Sequence, residues 1–227
     1  MPDLTGEFTT WFVIPLYNEA SVIGDVIRQV RTRFPFVVCV DDGSTDGSAQ
    51  AAREAGAVVV RHPYNMGQGA ALKTGIDYAL RDPQMRCVVT FDADGQHRLE
   101  DAEAMVARVE NEDVDVIVGS RFLDGRTKPG LLKRMVLKAA VVYTNMTTGV
   151  KLTDAHNGLR ALSRHACEVI VIEQNRMAHA SEIVAEFGRR KLRVKEQPVH
   201  ILYTDYSRAK GQSLLNSVNI LIDLIIR

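Results

Sequence analysis

What most constrains the fold of this chain is a pattern that recurs along it: short apolar runs ending in acidic or glycine-containing loops, with helically spaced stretches between them. Residues 11–15 (Trp-Phe-Val-Ile-Pro), 36–40 (Phe-Val-Val-Cys-Val), 57–61, 87–90 and 114–119 are such runs. A run without polar alternation is the signature of a strand covered on both faces, as in a parallel sheet flanked by helices. Between the first two runs Val22, Ile23, Val26, Ile27 and Val30 share one helical face, with Arg28, Gln29 and Arg31 outside it, and Pro35 closes the segment. Asn18 or Ser21 is expected to start that helix, and Asp46 to cap a second over residues 47–55. Further helices are expected over 70–80, 99–109, 131–148 and 180–190, and a short strand over 159–162. Residues 194–203 should be extended, with Pro198 marking a sheet edge. A βαβαβαβ order with short connections implies a parallel sheet with right-handed crossovers.

Composition narrows the function. At 227 residues the chain is long enough for one full core, or two closely joined halves. Its 28 Lys and Arg balance 28 Asp and Glu, so no basic field exists to hold nucleic acid, and any anion must be gripped locally. Cys39, Cys87 and Cys167 are odd in number and far apart, which points to buried free thiols in a reducing cytoplasm. The first ten residues lack a basic start and an apolar stretch, so no signal peptide is expected, and no run of 18 apolar residues is present to span a bilayer.

Ligands of such sheets lie beyond the carboxyl ends of the strands. That rule gathers Tyr17-Asn18-Glu19, Asp41-Asp42 and Asp92-Ala93-Asp94 on one rim. Two aspartates one residue apart are costly beside a core unless a cation joins them. Hard oxygen donors at Asp92 and Asp94, with the Gln96 amide two positions on, suit Mg²⁺ or Mn²⁺ carrying a diphosphate, and no Cys or His cluster nearby suits zinc. In isolation an Asp-x-Asp pair is more often a solvated turn, and a lone Asp154 more often a cap. Arg121 follows the strand over 114–119 and brings a guanidinium to the same rim. Gly67-Gln68-Gly69 lacks the third small residue of a dinucleotide fingerprint, and no glycine precedes Lys73-Thr74 as a P-loop demands. Residues 203–213, with Arg208 and Lys210, form either a loop folding over an anion or a plain solvated loop. In the last segment Leu214, Leu215, Val218, Leu221, Ile222 and Ile225 make an apolar stripe that fits a membrane interface, a partner or the protein's own core.

Five motifs occur together: Pro15-Leu16-Tyr17-Asn18-Glu19, Val40 to Gly47, Asn65 to Gly69, Asp92-Ala93-Asp94-Gly95-Gln96-His97 and Ser120-Arg121-Phe122. In this order they resemble family 2 glycosyltransferases of the GT-A fold, an α/β Rossmann-like arrangement with a mostly parallel central sheet flanked by helices. Asp154…Asn157-Gly158-Leu159-Arg160 is similar to the branch of dolichol-phosphate mannose synthase and its bacterial polyprenyl-phosphate relatives. The resemblance implies a catalytic domain over 1–213 and an appended amphipathic helix over 214–227. It implies that Pro15, Tyr17, Glu19 and Asp42 cradle the base and ribose of a sugar nucleotide, with Ala93 beside the ribose. Asp92, Asp94 and Gln96 would hold Mg²⁺ or Mn²⁺, Arg121 would lie near the sugar or acceptor phosphate, and Arg208 and Lys210 near the diphosphate. Asp154 and Arg160 match an acceptor-side motif. Gln68 stands where lysine is frequent, and Leu214 where the mannose synthases often have lysine.

The implied reaction moves a sugar, with inversion, from a UDP- or GDP-sugar donor to a polyprenyl phosphate at the cytoplasmic membrane face. A phosphate monoester has a second pKa of about 6 and is already nucleophilic at neutral pH. No strong base is then required, and none of the six histidines is placed as one by sequence. Peripheral attachment to the inner membrane face is expected, directly or through a small membrane subunit, with a homo-oligomer seam as another use of the last helix. The alternatives are the same fold acting on a soluble or saccharide acceptor, with a carboxylate as base, and a non-catalytic sugar-nucleotide-binding scaffold.

Overall fold

The computed structural model describes residues 9–123, 149–155, 157–176 and 178–202. The expected helix over 131–148, His156, the loop bearing Arg208 and Lys210, and the segment over 214–227 lie outside the described residues.

The apolar runs become the strands of one seven-stranded sheet: β1 (Thr9–Leu16), β2 (Phe36–Asp41), β3 (Val58–Arg61), β4 (Met85–Thr90), β5 (Val116–Ser120), β6 (Arg160–Ser163) and β7 (Val194–Pro198). The helices between them are α1 (Ile23–Arg31), α2 (Ser48–Glu54), α3 (Gln68–Ala79), α4 (Leu99–Asn111), α5 (Arg164–Val169) and α6 (His179–Arg189). In space the strands run β3-β2-β1-β4-β6-β5-β7. β7 is an edge strand ending at Pro198, which needs no ladder N–H there.

One strand departs from the parallel expectation: β6 is antiparallel to both β4 and β5. Its four residues, Arg160-Ala161-Leu162-Ser163, carry no direction, and only the path of the preceding chain decides which way it enters the sheet. The expected starts of the first two helices also differ. α1 begins at Ile23 with Val22 before it and no side-chain cap, while Asn18 sits earlier in a left-handed turn at φ 54°. At α2 the position before the helix is Gly47, at φ 90°, and Asp46 accepts the Ser48 N–H at 3.0 Å from just outside. β5 starts two residues later than the apolar run because Asp115 turns to pair with Arg193.

Core residues fill both faces of the sheet. On one, Phe12, Ile14, Leu16, Cys39 and Val89 meet Ile23, Ile27 and Val30 of α1 and Met105 of α4. On the other, Val13, Val38 and Val88 meet Leu72 and Ile76 of α3 and Val184 and Phe187 of α6. Each large side chain so buried contributes roughly 1.5–3 kcal/mol. α3 lies so close to β1 that a Cβ at Gly75 would come within 2.3 Å of Val13 Cγ1. All three cysteines are buried and unpaired, as the sequence suggested. Among the described residues no helix is long and apolar enough to cross a membrane.

Candidate active site

The loops after β1 and β2 are stapled to each other. The Asn18 N–H donates to Ser44 Oγ at 2.9 Å, the Thr45 N–H to Asn18 Oδ1 at 3.0 Å, and the Glu19 N–H to Ser48 Oγ at 2.7 Å. The Glu19 carbonyl then receives the N–H groups of Val22 and Ile23 and starts α1. These contacts leave Tyr17 projecting, 47% exposed, at the mouth of a cavity of about 430 Å³.

That cavity collects most of the residues expected from sequence: Pro15, Tyr17, Glu19, Asp42, Ala93, Asp92 and Asp94 line it. Asp41 does not: fully buried, it faces inward to Arg61 Nε at 3.1 Å and the Ser44 N–H at 3.1 Å. Asp42 is held from three directions. His62 Nδ1 donates to Oδ1 at 2.7 Å, the Met66 N–H to the same oxygen at 2.9 Å, and the Gly67 N–H to Oδ2 at 2.7 Å. His62 in turn meets Thr74 Oγ1 at 3.0 Å through Nε2, which ties the loop to α3.

The first turn of α3 is partly covered by the chain at 174–175, although Gln68 and Ala71 line the cavity. The Asn175 carbonyl receives the Gly69 N–H at 2.8 Å, and a Cβ at Gly67 or Gly69 would approach the backbone at 174–175 to 2.2 or 2.0 Å. These glycines therefore permit close chain packing, and Gly67 also lines the cavity.

Deeper in the cavity Asp92 receives His97 Nε2 on Oδ2 at 2.9 Å and the Gln68 amide on Oδ1 at 3.3 Å. Burial pushes its carboxyl up, but the His97 hydrogen bond and the positive fields of His97, Arg160 and His179 outweigh this and hold it below the ordinary value. Asp94 is treated oppositely. Burial, and then the negative field of Asp92, raise its carboxyl, and the Gln96 N–H at 3.0 Å compensates only in part. Gly158 faces this pair so closely that a Cβ there would sit 2.6 Å from Asp92 Oδ2.

The donor set fits a hard divalent ion. Two carboxylates line one cavity, and burial and the negative field of the first raise the carboxyl of the second. Among the described residues no group of three or more His, Cys, Asp or Glu forms a complete cage. An ion here would thus take substrate oxygens and water as its other ligands, the usual manner of Mg²⁺ with phosphates. Gln96 does not line the cavity, although its backbone braces the loop through the Asp94 carboxylate and the Leu202 N–H at 2.8 Å.

Arg121 and Asp154 come together but away from the cavity wall. Arg121 donates through Nε at 2.6 Å and Nη2 at 2.8 Å to the two oxygens of Asp154, and its own N–H donates at 3.1 Å. Asp154 is fixed from behind by Glu196 of β7, whose Oε1 accepts the N–H groups of Thr153 and Asp154 at 2.8 and 3.0 Å. Arg160, on β6, is buried and lines the cavity floor between Asp92 and Asp154. Burial brings its guanidinium down to about 10 against the opposing fields of those two carboxylates.

Sequence reasoning missed His62, His179 and Glu196, and quoted Gly158 in a motif without giving it a role. His179 lines the cavity and donates through Nδ1 to the Arg176 carbonyl at 2.7 Å. Its place at the start of a helix was the available signal. The roles of His62, Glu196 and Gly158 depend on long-range contacts that no local pattern states.

With the geometry in hand, likeness to known proteins can be stated. Residues 11–170 match the family described as glycosyl transferase family 2. An uncharacterised protein of Methanocaldococcus jannaschii is 34% identical over 95% of this chain and 90% of its own length. The UDP-N-acetylglucosamine–dolichyl-phosphate N-acetylglucosaminyltransferase of Methanococcus voltae is 28% identical over 95% of this chain and 94% of its own. The polyprenol monophosphomannose synthase of Mycolicibacterium smegmatis is 32% identical over 71% of this chain and 64% of its own. Among solved structures, glucosyl-3-phosphoglycerate synthase from Mycobacterium tuberculosis, in complex with Mn²⁺ and UDP-glucose, superposes with a TM-score of 0.68. It is 18% identical and covers 96% of this chain and 78% of that one, a likeness of fold. The chain belongs to glycosyltransferase family 2: it is a glycosyltransferase with the GT-A fold, whose relatives include polyprenyl-phosphate sugar transferases.

Proposed function

We propose that the protein is an inverting, metal-dependent glycosyltransferase that moves a sugar from a nucleoside-diphosphate donor to a polyprenyl phosphate. The observation that carries this reading is the Asp92–Asp94 pair on the cavity wall, one carboxylate satisfied by His97 and Gln68 and the other short of positive charge.

The donor's base and ribose fit the end of the cavity bounded by Pro15, Tyr17 and Asp42, and its sugar fits the end bounded by Gly158, Arg160 and His179. Mg²⁺ or Mn²⁺ held by Asp92 and Asp94 would supply positive charge where the departing diphosphate becomes more negative. His97 and Gln68 keep the Asp92 carboxylate ionised and oriented. A phosphate oxygen of the acceptor attacks the anomeric carbon as the bond to the diphosphate breaks, and the nucleoside diphosphate leaves. The acceptor oxygen carries no proton to be removed at neutral pH, so the chain needs no general base. Arg121, braced by Asp154, would draw the acceptor phosphate to this face, and Arg208 and Lys210 would approach the diphosphate. The names of the relatives support a lipid-phosphate acceptor, and with it peripheral action at the cytoplasmic face of a membrane, through residues 214–227 or a small membrane subunit.

The test is to incubate the protein with Mn²⁺, UDP- and GDP-sugars and a short polyprenyl phosphate while following nucleotide release. Release that requires the lipid phosphate is expected. Equal release with free sugars or glycans would replace the lipid acceptor by a soluble one, and no release with any acceptor would overturn the reading.

A further inference from the structure

Resting on the reading above, we infer that Arg160 holds the phosphate of the acceptor, because its guanidinium is a buried cation on the cavity floor that the protein itself leaves almost unpaired. Arg160 is 1% exposed and lies in β6 opposite Thr90 of β4 and Val118 of β5. It stands in a core row of the sheet, since Leu162, two residues on, packs with Val88, Val116 and Val118 against α3 and α6. Among the described residues it forms no ion pair, and its single hydrogen bond is a long one, from Nη2 to the Ala155 carbonyl at 3.4 Å. Nε is enclosed without a partner, whereas Nη1, also without one, is not enclosed and so is the end that meets the open cavity. Asn157, on the turn that leads into β6, likewise keeps a buried Nδ2 without a partner. A charge held in this way works against folding, and it fits a site whose anion arrives with the substrate.

Two anions meet in the proposed reaction. The donor diphosphate has the ion at Asp92 and Asp94, while the acceptor monoester, largely doubly charged at neutral pH, needs a cation of its own. Arg160 is the only arginine or lysine among the described residues that line the cavity. Arg121 stands off the cavity wall and already commits Nε and Nη2 to the two oxygens of Asp154. Arg160 feels the fields of both Asp92 and Asp154, which sets it between the acid pair and the Arg121–Asp154 pair. That is where a nucleophile drawn in past Arg121 would have to stop to reach the sugar. The open Nη1 and the loosely held Nη2 form a fixed fork that matches two phosphate oxygens.

The experiment compares Arg160→Met and Arg160→Lys with the wild-type full chain. Nucleotide release with a short polyprenyl phosphate at saturating donor gives the acceptor KM, calorimetry with UDP and GDP in Mn²⁺ gives nucleotide affinity, and thermal unfolding gives Tm. In Arg160→Met the acceptor KM should rise about tenfold or more while nucleotide affinity is retained. Its Tm should be equal or higher, since an apolar side chain replaces an unpaired buried charge. Arg160→Lys keeps the charge but not the fork, and its acceptor KM should fall between those of the wild type and Arg160→Met. A lowered Tm with donor and acceptor affected alike would make Arg160 a structural residue and overturn the inference. Loss of nucleotide affinity with the acceptor KM unchanged would assign it to the diphosphate and overturn the inference too, as would no change in either. If Arg160→Met does not fold, Arg160→Lys decides by the same criteria. No turnover of lipid phosphate by the wild-type protein would instead overturn the proposed function, and the inference with it.

Discussion

Asp92 and Asp94 are two residues apart, yet the chain treats them differently. The first has hydrogen bonds to both oxygens, from His97 and Gln68, while the second has the Gln96 N–H and a like-charged neighbour. Asp94→Asn removes the charge that an ion would use and also relieves the repulsion. It should therefore leave thermal stability equal or higher while lowering turnover by about 100-fold or more, measured by nucleotide release and thermal unfolding. Gly158→Ala tests the packing of the same pair. The added methyl would fall 2.6 Å from Asp92 Oδ2 and must displace the carboxylate, so nucleotide affinity in Mn²⁺ should drop, with about 1–3 kcal/mol of stability lost. The cysteines make a separate prediction. Burial pushes the Cys39, Cys87 and Cys167 thiols well up, so alkylating agents at pH 8 should label none of them before denaturant unfolds the chain. At this scale the sequence disclosed residues whose chemistry is local, such as the acid pair and Asp42. It could not disclose His62 or Gly158, whose roles exist only after α3 and β6 have been brought beside β2 and β4.

Elements position these residues through unlike means. β1, β2 and β4 are parallel neighbours, so the loops at their carboxyl ends meet on one rim, as an unbroken series of apolar runs allows one to foresee. β6 enters between β4 and β5 in the opposite sense, and this brings Gly158 and Arg160, at its beginning, to that same rim. A four-residue strand, Arg160-Ala161-Leu162-Ser163, carries no sign of its direction when read alone, which is why this strand's direction was not legible. β7 adds a brace from the edge: Glu196 Oε1 gathers the Thr153 and Asp154 N–H groups and the Thr153 hydroxyl at 2.8, 3.0 and 3.1 Å. Glu196→Ala should loosen Asp154 and with it Arg121, raising the KM for the lipid phosphate several-fold while nucleotide affinity stays unchanged. Glu196→Gln keeps an accepting oxygen and should restore the KM. An equal rise in donor and acceptor KM would show that the brace supports the whole site and not its acceptor side.

For the whole molecule, equal numbers of acidic and basic residues mean that no long-range field draws an anionic lipid surface or a nucleotide toward it. On the proposed reading, contact with a lipid surface would fall to the apolar stripe over residues 214–227. Removing those residues should abolish co-sedimentation with liposomes and reduce transfer to lipid phosphate, with UDP binding in Mn²⁺ unaltered; unchanged sedimentation would assign the stripe to another use. The fold class and the acidic pair were thus readable from one-dimensional patterns, because each is set by residues close in sequence, and the rim followed from the order of the strands. The division of labour within the cavity was not, since it depends on which distant atoms fill which lone pairs.

The cover over the start of α3 has a consequence for how such a site can change. A helix whose opening amides point at an anion offers a grip that no point substitution can delete, because it is made of main chain. Here the Asn175 carbonyl takes the Gly69 amide for the chain's own packing, while the Gln68 side chain reaches Asp92. Single codon changes at Gln68 can therefore retune the acid pair without disturbing the helix that carries it.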